Sequence, residues 1–197
     1  MKKKQKKKKD LSINPAEIVL AEYNYIAETA FQANEDRARV SQFFIVMFGT
    51  VIAALVSSQI ENIDIQQLYT AFVIVFVFIF IFGILTVNQL ARLRQAWRES
   101  IFAMSQIKEE AIKEHPQLAS YFRWRRSTIP GAFKPGSVGF NLAIMVALIS
   151  GLALGSSLAL FKLAQGTTLV PLILCLVVSL ISSVLVLVLF YWLPLRK

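Results

Sequence analysis

Four runs of mostly apolar, uncharged residues recur along the chain, at 40–58, 68–91, 135–161 and 163–195. A hydrocarbon core of about 30 Å needs about 20 apolar residues in a helix, and each run is long enough. The run FVIVFVFIFIFGIL is apolar on every side. A helix of a soluble bundle would show a polar face instead. The pattern therefore predicts an all-α integral membrane protein with four transmembrane helices in two hairpins. Its expected spans are 40–58, 68–91, 138–161 and 168–193. Residues 59–67 form an outer loop, 162–167 an outer turn and 194–197 a tail. Small residues recur every four positions: Gly49, Ala53 and Ser57 in the first span, Gly151 and Gly155 in the third, Cys175, Ser179 and Ser183 in the fourth. Such ridges let helix backbones approach closely, so these eight residues are the candidate packing positions, within one bundle or between subunits. The Phe- and Val-rich second span has only Gly83 near its middle and reads as lipid-facing.

Between these runs the period changes. In SINPAEIVLAEYNYIAETAFQANEDRAR, Asn14 suits an N-cap, Pro15 the first helical position and Glu17 the capping-box position. No Gly or Pro follows before the membrane. The stretch 14–39 is expected to be a helix entering the first span directly, with Leu20, Tyr23, Ala27, Ala30 and Phe31 on one face. After the second span, 92–115 repeats the pattern through Leu93, Trp97, Ile101, Met104, Ile107 and Ala111, and His115–Pro116 ends it. The two helices have matching lengths and leave the same hairpin on the same side. The economical expectation is antiparallel packing; the alternative is that each lies on the membrane surface. Residues 116–137 hold three prolines and two glycines and read as a connection.

Charge adds an orientation. Lys and Arg number nine in 1–39, none in 59–67, nine in 92–134, one near 162–167 and two at the C-terminus. Cytoplasmic segments hold such excess, so both termini and the central connection are expected inside. Tyr69 at the outer end and Tyr191 and Trp192 at the inner end suit an aromatic belt. The net charge of +9 and pI near 9.9 would suggest nucleic acid in a soluble protein. Here they accompany a mean hydropathy of +0.58 and fit cytoplasmic anchors better. Lys2, Lys3, Lys4, Lys6, Lys7, Lys8 and Lys9 lie in a polybasic arm, 1–13, without the features of a folded segment. They are candidate contacts to anionic lipid headgroups. Within YFRWRRS, Arg123, Trp124, Arg125 and Arg126 are candidates for the same role, with rings among headgroups and guanidinium groups on lipid phosphate. The alternative for the three arginines is a free anion or nucleotide.

Residues 15–114 resemble, in architecture, the SLATT-type transmembrane hairpin of bacterial membrane effectors. The resemblance is carried by AEYNYIAETAFQANEDRARVSQFF and by the helix from Arg92. It implies a membrane effector of a nucleotide-activated defence system, and it assigns no functional residues. The second hairpin, 137–193, lies outside it.

Catalytic chemistry is absent from the pattern. His115 is the lone histidine and Cys175 the lone cysteine, and no P-loop, GxSxG, HExxH or CxxC motif occurs. No enzyme activity, metal or cofactor is expected. The reading that remains is a non-enzymatic multi-pass protein of a bacterial inner membrane. It would act by oligomerisation or by binding a cytoplasmic protein through 15–39 and 92–114, and could perturb the bilayer as an effector. A small channel or transporter and a membrane scaffold are the alternatives.

Overall fold

A computed structural model describes residues 14–57, 64–166 and 172–196. The polybasic arm, residues 59–63 of the expected outer loop and residue 167 of the expected outer turn lie outside them. The described residues are helical apart from the 116–137 connection, with no strand among them. Four helices are long and apolar enough to cross a membrane, which defines an integral membrane protein of the multi-pass class.

Helix α1 is Pro15–Ser57 and α2 is Ile65–Glu114. Each carries an amphipathic half and an apolar half without a break. At the start of α1 the Ala16 N–H donates to Asn14 Oδ1 (3.1 Å), and the Asn14 side-chain amide donates to Glu17 Oε1 (3.1 Å). Asp64 caps α2 by accepting from the Gln66 N–H (3.1 Å). Helix α2 ends at His115, whose N–H still reaches the Ala111 carbonyl; a 3-10 turn, Pro116–Ser120, follows. Helix α3, Val138–Ala164, starts at the Ser137 cap, whose hydroxyl accepts from the Phe140 N–H. It extends three residues into the expected outer turn. Helix α4, Leu172–Leu187, continues through a π turn, Val188–Trp192, into a last helical turn, Leu193–Arg196. The expected tail is therefore helical as far as it is described. Pro194 explains the π turn. It has no N–H for a carbonyl four residues back, and the widened turn instead bonds the Leu193 N–H to the Val188 carbonyl.

Helix α2 is the hub. It packs against α1 on one side and α3 on another, and α3 packs in turn against α4. This corrects the lipid-facing expectation for the second span: Phe76, Ile79, Gly83, Val87 and Leu90 are buried, while Phe78, Ile81 and Leu85 point outward. One face of an all-apolar helix can serve packing while the rest meets lipid. At Gly83 three helices converge. A Cβ there would meet Ser150 of α3, and Phe44 of α1 would lie 3.2 Å away.

A second core joins the two amphipathic halves. Ala30 and Ala33 of α1 cluster with Trp97, Ile101 and Met104 of α2, flanked by Tyr23, Ile26, Ala27 and Ile129. The buried face of α1 runs Ala30, Ala33, Arg37, Ser41, Phe44. Leu20 and Phe31, expected on that face, are 61% and 64% exposed. Spacing of three and four admits more than one stripe on α1, and small alanines, which let the large Trp97 in, define the one used.

Candidate functional site

The buried charged residues among those described, Arg37 and Arg94, lie at one end of the bundle. Arg37 comes from α1, Arg94 from α2 and Tyr191 from the π turn; they are 9%, 6% and 2% exposed. Gly139, the second residue of α3, makes their meeting possible. A Cβ on it would stand 2.8 Å from Arg37 Nη1 and 3.5 Å from Tyr191 Oη. Tyr191 therefore faces inward, not toward a headgroup belt, and this corrects its sequence-based role. Trp192 keeps a partly exposed position with Arg196 over its ring at 5.1 Å.

Arg94 is held on three sides. Its Nε donates to the Ala132 carbonyl (3.1 Å) and Nη2 to the Gly131 carbonyl (3.4 Å). Its guanidinium also lies 4.4 Å from the Trp97 ring centre, a cation–π contact. Arg37 is less well served: among the described residues its buried Nε has no hydrogen-bond acceptor. Neither arginine forms an ion pair among the described residues. Burial, and then the like charge of Arg94, hold the Arg37 guanidinium below the usual arginine range. Two buried arginines without an ion pair among the described residues concentrate positive charge at this end of the fold.

The connection folds back over α2 instead of hanging free. Glu109 accepts from Arg125 Nε (3.5 Å) and from the Arg126 N–H (3.3 Å). Arg126 sits over the Phe102 ring at 5.1 Å, and Trp124 meets Trp97 edge to face with centroids 6.2 Å apart. Arg123 remains exposed and unpaired with acid among the described residues. Of the residues expected to touch headgroups, then, Arg125 and Arg126 are engaged by α2 and Arg123 is not. Lys2 to Lys9 lie outside the described residues. At the same end, Gln95 Nε2 donates to the Pro194 carbonyl (2.9 Å), which ties the last turn to α2.

Two of the three small-residue ridges meet. A Cβ on Gly155 would lie 2.6 Å from the Cys175 carbonyl oxygen, and one on Gly151 would collide with Ser179 and Ser183. Ser179 and Ser183 donate to carbonyls of their own helix, Cys175 and Ser179 (2.8 and 2.7 Å). Their hydroxyls are thus satisfied within α4 and serve close contact, not a polar path. Among the described residues, the third ridge is not brought against another helix. Gly49, Ala53 and Ser57 are exposed, and a Cβ on Gly49 would have nothing within 4 Å.

Sequence reasoning missed Arg37, Arg94 and Tyr191. The signal for Arg94 was present: steps of three and four from Val87 and Leu90 lead to Arg94, Trp97, Ile101 and Met104. Extending the buried stripe of the span into the amphipathic half would have put Arg94 inside. Comparison of the chain with protein-family models, curated proteins and solved structures finds no match.

Proposed function

We propose that the chain is a non-enzymatic multi-pass protein of a bacterial inner membrane that acts by associating with copies of itself or with a protein partner. The carrying observation is the outward ridge of Gly49, Ala53 and Ser57 on α1. A glycine ridge facing lipid offers little contact, and against a second helix it allows close backbone approach. Lys and Arg crowd the end of the fold where Arg37, Arg94 and Arg196 lie, which supports a cytoplasmic position for that end and for both termini. The lysines of the polybasic arm then face anionic lipid of the inner leaflet as their partner. The resemblance of residues 15–114 to effector hairpins supports a sharper form, in which assembly perturbs the bilayer.

The test is the mass of the full chain in maltoside detergent by light scattering, for wild type and Gly49→Leu/Ala53→Leu. An oligomer that the double variant converts to monomer supports self-association. A monomeric wild type leaves a partner protein as the reading, and pulling down that partner with wild type but not the variant then becomes its test. Dye release from vesicles bearing the wild-type protein separates a perturbing assembly from a silent scaffold.

A further inference from the structure

We propose that the cavity between α2, the connection and the start of α3 is a binding site for a phosphate group carried on an organic substituent. The cavity is about 490 Å³, and Arg94, Trp97, Arg123, Trp124, Lys134 and Ser137 are among its walls. No carboxylate lines it. None of its three cations is paired with an acid among the described residues. The acid nearest in the connection's own contacts, Glu109, is spent on Arg125 and Arg126.

The site is built, not merely charged. Arg94 is fixed in orientation by two carbonyls and one indole face. A guanidinium has five N–H donors, and those two bonds leave three unspent. Lys134 and Arg123 of the connection line the same cavity, and Arg94 itself anchors the connection's path. Gly136, with φ of +72°, makes the left-handed turn that delivers Ser137 as the cap of α3. Ser137, the cap of a 27-residue helix, lines the cavity, and a helix start favours an anion nearby. Against Gly139 lies Arg37, more than nine-tenths buried and with its Nε unpartnered. It adds positive potential from the far side of the same helix start.

Three cations and a helix terminus around one volume suit a group with several acceptor oxygens, which a phosphate has. Trp97 and Trp124 give the remaining wall to an apolar or ring-bearing substituent. A volume of this size takes a headgroup or a small phosphate ester. The phosphate can come from a membrane lipid or from solution, and the two sources are separable by experiment. The site does not depend on the α1 ridge or on self-association.

The chain has three tryptophans. With Trp192→Phe as background, emission reports on Trp97 and Trp124 alone. The full-length protein in maltoside, which carries no phosphate, is titrated at constant ionic strength with glycerol phosphate and, separately, with short-chain phosphatidylglycerol. A saturating change with at least one of them is the expected result. Lys134→Gln and Arg123→Gln, both at exposed positions, should each weaken it about tenfold, the loss of one charge-assisted bond. Lys113→Gln, outside the cavity and paired with Glu110, should leave it unchanged. Saturation by glycerol phosphate assigns a soluble ester; saturation by the lipid alone assigns a headgroup. The proposal is overturned if neither saturates, if neutral diacylglycerol works as well as phosphatidylglycerol, or if Lys134→Gln and Arg123→Gln bind like wild type.

Discussion

Arg94 and Trp97 stand one turn apart on α2, with the guanidinium 4.4 Å from the indole centre, and the same guanidinium holds the carbonyls of Gly131 and Ala132. One side chain therefore joins the aromatic wall of the cavity to the backbone of the connection.

Arg94→Gln should loosen that connection. Glutamine is too short to reach both carbonyls, and losing such bonds costs about 1–3 kcal/mol. Trypsin cleavage at Arg123, Arg125 and Arg126 should accelerate about tenfold or more, as followed by mass spectrometry. An unchanged cleavage rate and pattern would show that other contacts hold the segment.

Gly155→Ala should destabilise the α3–α4 contact, because its Cβ would meet a backbone carbonyl at 2.6 Å and backbone yields poorly. Overpacking of this kind costs about 1–3 kcal/mol. Gly49→Ala, with open space around it, should stay within about 0.5 kcal/mol of wild type in monomeric protein. Thermal unfolding in detergent compares the two, and equal losses would contradict the packing described.

Arg37→Met should raise the Tm in phosphate-free maltoside. The substitution removes a buried charge that has no ion pair among the described residues and keeps an apolar side chain of useful length. Replacing buried ionic groups by hydrophobic ones has stabilised other proteins by about 1–4 kcal/mol. A lower Tm would mean that Arg37 contributes more through its packing on Gly139 than its charge costs.

The proposed orientation is open to direct labelling. A single cysteine at Asn62, in a Cys175→Ser background, should react with a membrane-impermeant maleimide added from outside intact cells. Reaction only after the cytoplasmic face is opened would reverse the topology.

The four long apolar helices were legible because hydropathy needs no partner to be read. The pairing of ridges was not. Spacing by four puts Gly49, Ala53 and Ser57 on one face as surely as it does Cys175, Ser179 and Ser183, yet among the described residues the α4 ridge meets α3 and the α1 ridge meets no other helix. What a face meets depends on the other helices, and period alone does not carry that. Tyr191 was misread for a local reason: Pro194 forces a π turn, and the wider turn changes which way the residues before it point. Arg94 was passed over because of its residue type, since a charged residue in a buried register is rare.

Helix α2 runs 50 residues with a single glycine and no proline. At 1.5 Å per residue that is a rod of about 75 Å, anchored at mid-length by α3 and sheathed along both halves by α1. With no proline and one glycine, such a rod has no built-in site for a sharp kink. Roughly 10° of tilt at the fulcrum sweeps one end through about 6 or 7 Å and moves the other the opposite way. The charged half beside Trp97 and the phenylalanine-rich half are thus one continuous helix with no joint between them.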